Sequence, residues 1–110
     1  RRLEKLGQRL ATGLSEAAQE AGVPLQVNSF GSMLTPFFID QPVTDFASAI
    51  KANTNAYATF FNGMLARGIY APPSQFEAWF LSASHTAREI DDTIQSAREA
   101  LADVNDMMIS

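Results

Sequence analysis

The sequence predicts an α+β fold, in which a small, mainly antiparallel sheet carries three helices packed on one face. Apolar residues recur with helical spacing in three segments, one near each end of the chain and one in the middle. Two intervening stretches show the alternation or the short apolar runs that are typical of strands. The predicted order is helix, two strands, helix, two strands, helix. Elements in this order favour a layer of helices on one antiparallel sheet.

The first two predicted helices are bounded by residues that commonly start or end helices. The first occupies residues 1–21, where Gly22 is the expected C-terminal cap and Pro24 cannot continue the helix. The second should start near Thr44 or Asp45, either of which is a good N-cap, and should end at Gly68. Its expected buried stripe is Phe46, Ile50, Tyr57, Phe60, Phe61, Met64 and Leu65. A polar patch interrupts this stripe, so the middle of the helix is expected to be partly exposed; the patch is Lys51, Asn53, Thr54 and Asn55.

The last helix should begin at Thr86, because Thr86 and Glu89 have the spacing of a capping box. Residues 105–110 continue no clear period. The expected buried face is Ile90, Ile94, Ala97, Leu101 and Val104.

Short strands are predicted between the helices. Residues 25–30 and 33–39 form the first pair, with a bend at Gly31, and Pro36 argues that the second of them is an edge or irregular strand. Residues 69–71 and 78–82 form the second pair, separated by the two prolines at 72 and 73, which force an extended connection.

Length and charge limit the possible functions. The chain has 110 residues, which suits one domain, and a net charge of −4, which argues against binding to nucleic acid or to anionic membranes. It has no cysteine, no apolar run long enough to span a bilayer and no apolar stretch after its basic N-terminus. A cytoplasmic location is expected. Because residue 1 opens directly on a helical pattern, we expect it to be a boundary within a longer protein.

Common catalytic motifs are absent from the sequence, and a lone histidine, His85, excludes zinc sites built from several histidines of this chain. His85 precedes a helix cap, where a structural role is expected. Asp91 and Asp92 fall on the first turn of the last helix, where their charge complements the helix dipole. Glu77 stands in the most apolar stretch of the chain. It is either a rim residue paired with an arginine elsewhere, or a carboxylate directed into an active site.

The segment around Glu77 resembles a signature of the glutamate-1-semialdehyde 2,1-aminomutases, which are class III aminotransferases in fold. The resemblance covers essentially the whole chain, in the right order, and extends to three other stretches. The matching stretches are Gly68-Ile69-Tyr70 with Pro73-Ser74-Gln75-Phe76-Glu77-Ala78 and His85-Thr86; Gly31-Ser32-Met33 with Phe37-Phe38; Tyr57-Ala58 with Phe60-Phe61 and Met64-Leu65; and Ile90-Asp91 with Thr93-Ile94.

This resemblance implies the C-terminal domain, residues 1–110, of a homodimeric enzyme that depends on pyridoxal phosphate or pyridoxamine phosphate. The enzyme would convert glutamate-1-semialdehyde to 5-aminolevulinate in tetrapyrrole (porphyrin) biosynthesis. The Schiff-base lysine and the phosphate site of the family lie in a large domain outside this chain. The chain alone is therefore expected to bind no cofactor and no metal, and to be inactive.

The same resemblance assigns three site residues. Glu77 is the expected catalytic and substrate-binding residue, because a carboxylate repels a substrate carboxylate and suits an amine-rich intermediate. Ser74 and Gln75 are expected to bind substrate from the same loop. Trp79 stands where the family pattern has glycine, so its ring is expected either to fill the edge of the site or to reshape the loop.

Two alternatives remain open. The chain could be the C-terminal domain of another class III aminotransferase with a different amino substrate, which the residues around Glu77 disfavour and Trp79 favours. It could also be a non-enzymatic α+β module that docks a partner. A long coding region upstream of residue 1 would exclude a free-standing module.

Overall fold

The predicted α+β class is confirmed by a computed structural model that describes residues 2–74, 77–81 and 85–109. A three-stranded sheet, three long helices and one short helix account for the regular structure of these residues. In chain order they are α1 (Arg2–Ala21), β1 (Gln26–Phe30), β2 (Met33–Phe37), α2 (Phe46–Ala49), α3 (Thr54–Ala66), β3 (Trp79–Phe80) and α4 (Ala87–Ile109).

The sheet has the order β1-β2-β3, and both pairings are antiparallel. Strands β1 and β2 form a hairpin whose last pair is Phe30 with Met33, and Gly31 takes a φ of +60° in the turn. Glycine suits that left-handed position because it has no Cβ to clash with the backbone. Strand β3 continues the sheet through the pair Leu34–Trp79, which attaches the segment after α3 to the hairpin.

Helix α4 lies between α1 and α3, and α1 also covers strands β1 and β2. The shared core is built from leucine and alanine on α1, aromatic residues on α3 and aliphatic residues on α4. Its fully buried large side chains are Leu10, Leu14, Leu34, Pro36, Phe60, Met64, Ile90, Leu101 and Val104. No helix in the described ranges is both long and apolar enough to cross a membrane.

The second predicted helix is broken. Helix α2 ends at Ala49, and α3 starts only at Thr54, because the Asn53 side chain accepts a 3.0 Å hydrogen bond from the Ala56 amide and caps a new helix. The Asn53 amide itself donates to the Phe38 carbonyl at 2.9 Å. Asn53 thus forms hydrogen bonds through its side chain and through its backbone without being inside a helix. A polar residue with such bonds favours a break between two helices.

The break makes part of the predicted buried stripe wrong. The exposed fractions are 74% for Phe46, 53% for Ile50 and 38% for Leu65, whereas Tyr57 and Phe60 are buried as predicted. A single helix would have aligned all these residues on one face. Two helices separated by a turn do not keep that alignment, so α2 places its phenylalanine in solvent.

Strand predictions after α3 also need correction. Residues 69–71 are not a strand. Of the predicted strand 78–82, β3 covers Trp79–Phe80, and residue 82 lies outside the described residues. The Ile69 amide donates to the Met64 carbonyl at 2.9 Å and so completes the end of α3, and the prolines that follow have no amide to donate to a sheet. The second predicted strand likewise stops at Phe37, two residues early.

The start of α4 is as predicted. The Thr86 amide donates to Glu89 Oε1 at 2.9 Å, and the Glu89 amide donates to Thr86 Oγ1 at 3.1 Å, which together form the capping box. The helix then continues through the region without clear period as far as Ile109. Met107 in that last part packs against the core, which explains why the helix persists.

Gly7 marks the closest approach of α1 to the hairpin. A Cβ added at Gly7 would lie 2.8 Å from the backbone carbonyl oxygen of Gly31. Alanine should therefore push the hairpin away from α1 at a cost of about 1–3 kcal/mol, which exceeds the gain in helix propensity of about 1 kcal/mol. We expect Gly7→Ala to lower the urea midpoint of unfolding, while Gln8→Ala at the exposed neighbouring position leaves it nearly unchanged. A Gly7→Ala chain more stable than wild type would contradict this contact.

Candidate functional site

The loop that carries the predicted site residues leaves α3 at Gly68 and returns to the sheet at β3. Gly68 has a φ of +82°, a left-handed conformation that glycine adopts readily at a helix end. After the two prolines the chain makes a turn, in which the Glu77 amide donates to the Ser74 carbonyl at 3.1 Å. The loop thus presents a short hydrogen-bonded turn between α3 and β3.

The structure brings two of the three predicted site residues together on this turn. The Glu77 side chain is exposed and Ser74 is half-buried. Gln75 lies outside the described residues. An exposed carboxylate needs no buried counter-ion, so the turn can present this group outward. The apolar surroundings expected from the sequence therefore do not enclose Glu77.

Tyr57 of α3 connects the helix to this loop. Its ring is 2% exposed, and its hydroxyl donates a hydrogen bond to the Pro72 carbonyl oxygen. Burial raises the pKa of Tyr57 to about 12, and the negative charge of Glu77 also raises the pKa, whereas Trp79 lowers it. The effect of Glu77 means that its carboxylate lies within electrostatic range of the Tyr57 hydroxyl.

Trp79 belongs to the core. It is 8% exposed and its ring stacks on Phe60, with centroids 6.2 Å apart and planes inclined by 17°. Its Nε1 influences the pKa of Tyr57, but no acceptor in the described part of the chain meets hydrogen-bond geometry for this buried donor. Trp79 is therefore a packed core residue whose N–H group is unsatisfied among the described residues.

A cavity of about 320 Å³ lies beside the loop and is bordered by Ala71, Pro72, Trp79 and His85. A larger depression of about 660 Å³ lies between α1 and α4, away from the turn. There Arg9 donates two 2.7 Å hydrogen bonds to the carboxylate of Asp91, and this pairing lowers the pKa of Asp91. Since these charges already neutralise each other, the depression makes a weaker candidate than the loop.

Curated proteins of known name match this chain over most of its length. The aminomutase of Desulfitobacterium hafniense is 54% identical over 99 residues, which is 90% of this chain and 23% of that protein. The enzymes of Anaeromyxobacter dehalogenans and Thermomicrobium roseum are 54% and 52% identical over 103 residues. All three are named glutamate-1-semialdehyde 2,1-aminomutase. The chain matches a segment of these aminomutases. The resemblance inferred from the sequence is confirmed, and the chain spans about a quarter of the length of these relatives.

Solved structures agree on the fold. A glutamate-1-semialdehyde-aminomutase variant from Pseudomonas aeruginosa in complex with PMP superposes with a TM-score of 0.81 at 18% identity, covering 94% of this chain and 23% of that one. An omega-transaminase from Sphaerobacter thermophilus gives 0.76 at 27% identity, covering 94% of this chain and 24% of that one. No family model matches the chain.

The two lysines of this chain are Lys5, exposed on α1, and Lys51, exposed after α2, and neither belongs to the Ser74–Glu77 turn. Across the described residues no group of three potential metal ligands occurs. The backbone carbonyl of His85 accepts a hydrogen bond from the Arg2 side chain.

The hydrogen bond from Tyr57 to Pro72 was not predicted. Tyr57 appeared in the sequence only as one of several aromatic residues on a helical stripe. Nothing in a helical period distinguishes a tyrosine that uses its hydroxyl from one that only packs. A buried tyrosine nevertheless usually finds a partner for its hydroxyl, and this rule would have directed attention to nearby carbonyls.

Proposed function

We propose that residues 1–110 form the C-terminal domain of a homodimeric, cytoplasmic aminomutase. Its reaction would be the isomerisation of glutamate-1-semialdehyde to 5-aminolevulinate, a step of porphyrin biosynthesis. The observation that carries the proposal is the identity of 52–54% to proteins of that name over at least 90% of this chain. The remaining three-quarters of those relatives correspond to a large partner domain, which would hold the pyridoxal or pyridoxamine phosphate.

Within this enzyme Glu77 would face the substrate. Its carboxylate is exposed on a turn held between α3 and β3, so it can meet a group presented from another domain. A negative charge there disfavours a substrate carboxylate and favours amino groups, which suits an intermediate rich in amines. Ser74 and Gln75 would contact substrate from the same turn. The cofactor supplies the amine-transfer chemistry when it is bound, and Glu77 would select what reacts.

The variant Glu77→Gln in the full-length enzyme tests this role. It removes the charge but keeps the shape, so kcat/KM for glutamate-1-semialdehyde should fall on the order of tenfold to hundredfold, as expected for the loss of one charged interaction. Formation of 5-aminolevulinate is measured beside the absorption spectrum of the cofactor, which should not change. Glu16→Gln, an exposed position on α1, is the matched control. Unchanged kinetics in Glu77→Gln would remove Glu77 from the site.

Transfer of an amino group to an external acceptor is the second candidate reaction. The omega-transaminase of Sphaerobacter thermophilus favours this candidate. Its sequence is 27% identical to this chain, whereas that of the aminomutase structure in complex with PMP is 18% identical. The two candidates differ in their products. An enzyme that makes no 5-aminolevulinate but aminates an added keto acid would establish the second candidate and exclude the first.

A further inference from the structure

We propose that Tyr57 and Phe60 of α3 are positioning residues, which hold both ends of the segment 72–79 and so fix the location of Glu77. The inference rests on the proposed function, because it takes Glu77 as the residue that selects substrate. It assigns to α3 the role of supporting the loop that carries this residue.

The first anchor is the hydrogen bond from the Tyr57 hydroxyl to the Pro72 carbonyl oxygen. Pro72 lies two residues before the Ser74–Glu77 turn. Pro72 belongs to no strand, so its carbonyl oxygen has no hydrogen-bond partner in the sheet. A buried tyrosine hydroxyl is therefore the group that fixes the start of the segment, and its ring is held by Phe38 and Phe60, with centroids 6.3 Å away in each case.

The second anchor is the stack of Trp79 on Phe60. Trp79 lies two residues after Glu77 and is also paired with Leu34 in the sheet. Tyr57 and Phe60 are three positions apart on α3, so they lie on the same face of the helix. One helix face thus holds the chain on both sides of the turn.

Glu77 lies between these two anchors. Its amide also donates a hydrogen bond to the Ser74 carbonyl, while its side chain is exposed. An arrangement of this kind suits a group that must meet a substrate at a set distance, because errors of about 1 Å cost a large part of the rate.

Tyr57→Phe tests the inference because it deletes the hydroxyl and keeps the packed ring. Thr59→Val is the matched control. It deletes a hydroxyl from the same helix, but one that contacts Met107 on α4, 3.2 Å away, rather than the loop. In the full-length protein, Tyr57→Phe should raise hydrogen–deuterium exchange in peptides that cover residues 72–79 by about tenfold, the effect of losing roughly 1.4 kcal/mol of local stability. Thr59→Val should not.

A double-mutant cycle separates positioning from general stability. If Tyr57 acts through Glu77, Tyr57→Phe should lower kcat/KM for glutamate-1-semialdehyde about fivefold in the wild type, but less than twofold in the Glu77→Gln background. Equal losses in both backgrounds, or unchanged exchange over 72–79, would overturn the inference. A wild-type enzyme that makes no 5-aminolevulinate would instead overturn the proposed function, and the exchange measurement would still decide whether Tyr57 holds the loop.

Discussion

Replacing Trp79 with alanine should lower the free energy of unfolding of this chain by about 3–5 kcal/mol. The side chain is 92% buried, stacks on Phe60 and belongs to the main core together with Leu34 and Ile90. Alanine would leave a cavity that a two-residue strand and a loop with two prolines can close only in part. Since domains of this size are stable by about 5–15 kcal/mol, the loss is a large fraction of the total.

Urea unfolding followed by far-ultraviolet circular dichroism measures this loss, because Trp79 is the only tryptophan and fluorescence would vanish with it. Tyr70→Ala is the control, since Tyr70 is 85% exposed and should change stability by no more than about 0.5 kcal/mol. Trp79→Phe should fall between the two, because it retains an aromatic ring and removes the unsatisfied Nε1. A Trp79→Ala chain within about 1 kcal/mol of wild type would show that this ring is not packed as described.

Stability should also fall as the pH rises above the ordinary pKa of tyrosine. Burial raises the pKa of Tyr57 from 10.0 to about 12 in the folded chain. Below pH 10 the hydroxyl is neutral in both states and its full contribution is present. Between pH 10 and 12 the unfolded chain ionises first, which stabilises the unfolded state, so the contribution is lost as the pH rises through this window. At pH 11 the loss should be about 1.4 kcal/mol.

The measurement is a set of urea midpoints between pH 9 and 11.5 for the wild type and Tyr57→Phe. Both chains retain Tyr70, Lys5 and Lys51, so the difference between their pH profiles isolates Tyr57. The wild type should lose more stability than the variant over this range. Parallel profiles would mean that the phenolate is tolerated in the folded chain, and would contradict the burial of the hydroxyl against Pro72.

Local signals in the sequence were predictive, and signals that depend on the rest of the fold were not. The capping box of Thr86 and Glu89 involves only residues three positions apart, so the sequence predicts it directly. The structure contains both of its hydrogen bonds. The break at Asn53 depends on the Phe38 carbonyl, fifteen residues earlier, which no periodicity shows. For the same reason the polar patch around Asn53 was interpreted as the partly exposed middle of one helix, whereas it separates two helices.

The candidate site likewise combines a local feature that the sequence predicts with distant contacts that it does not. The turn with Ser74 and Glu77 was found because its residues are consecutive and match a family signature. Their contact with α3 was not, because Tyr57 reaches Pro72 across fifteen positions. Trp79 was expected to fill the edge of the site or to reshape the loop, because the family pattern has glycine at this position. Its ring stacks on Phe60 of α3, a contact across nineteen positions that the sequence does not show.

The packing of α1 against α4 joins the two ends of the chain. Arg9 pairs with Asp91 across 82 positions, and Arg98 pairs with Glu20 across 78. These contacts require closure of nearly the largest loop the chain can form, and helix α4 also supplies the surface on which α3 packs. During synthesis, the face of α1 that packs on α4 therefore stays uncovered until residues 87–109 have left the ribosome. A high proportion of such distant contacts also predicts slow folding for a domain of this length.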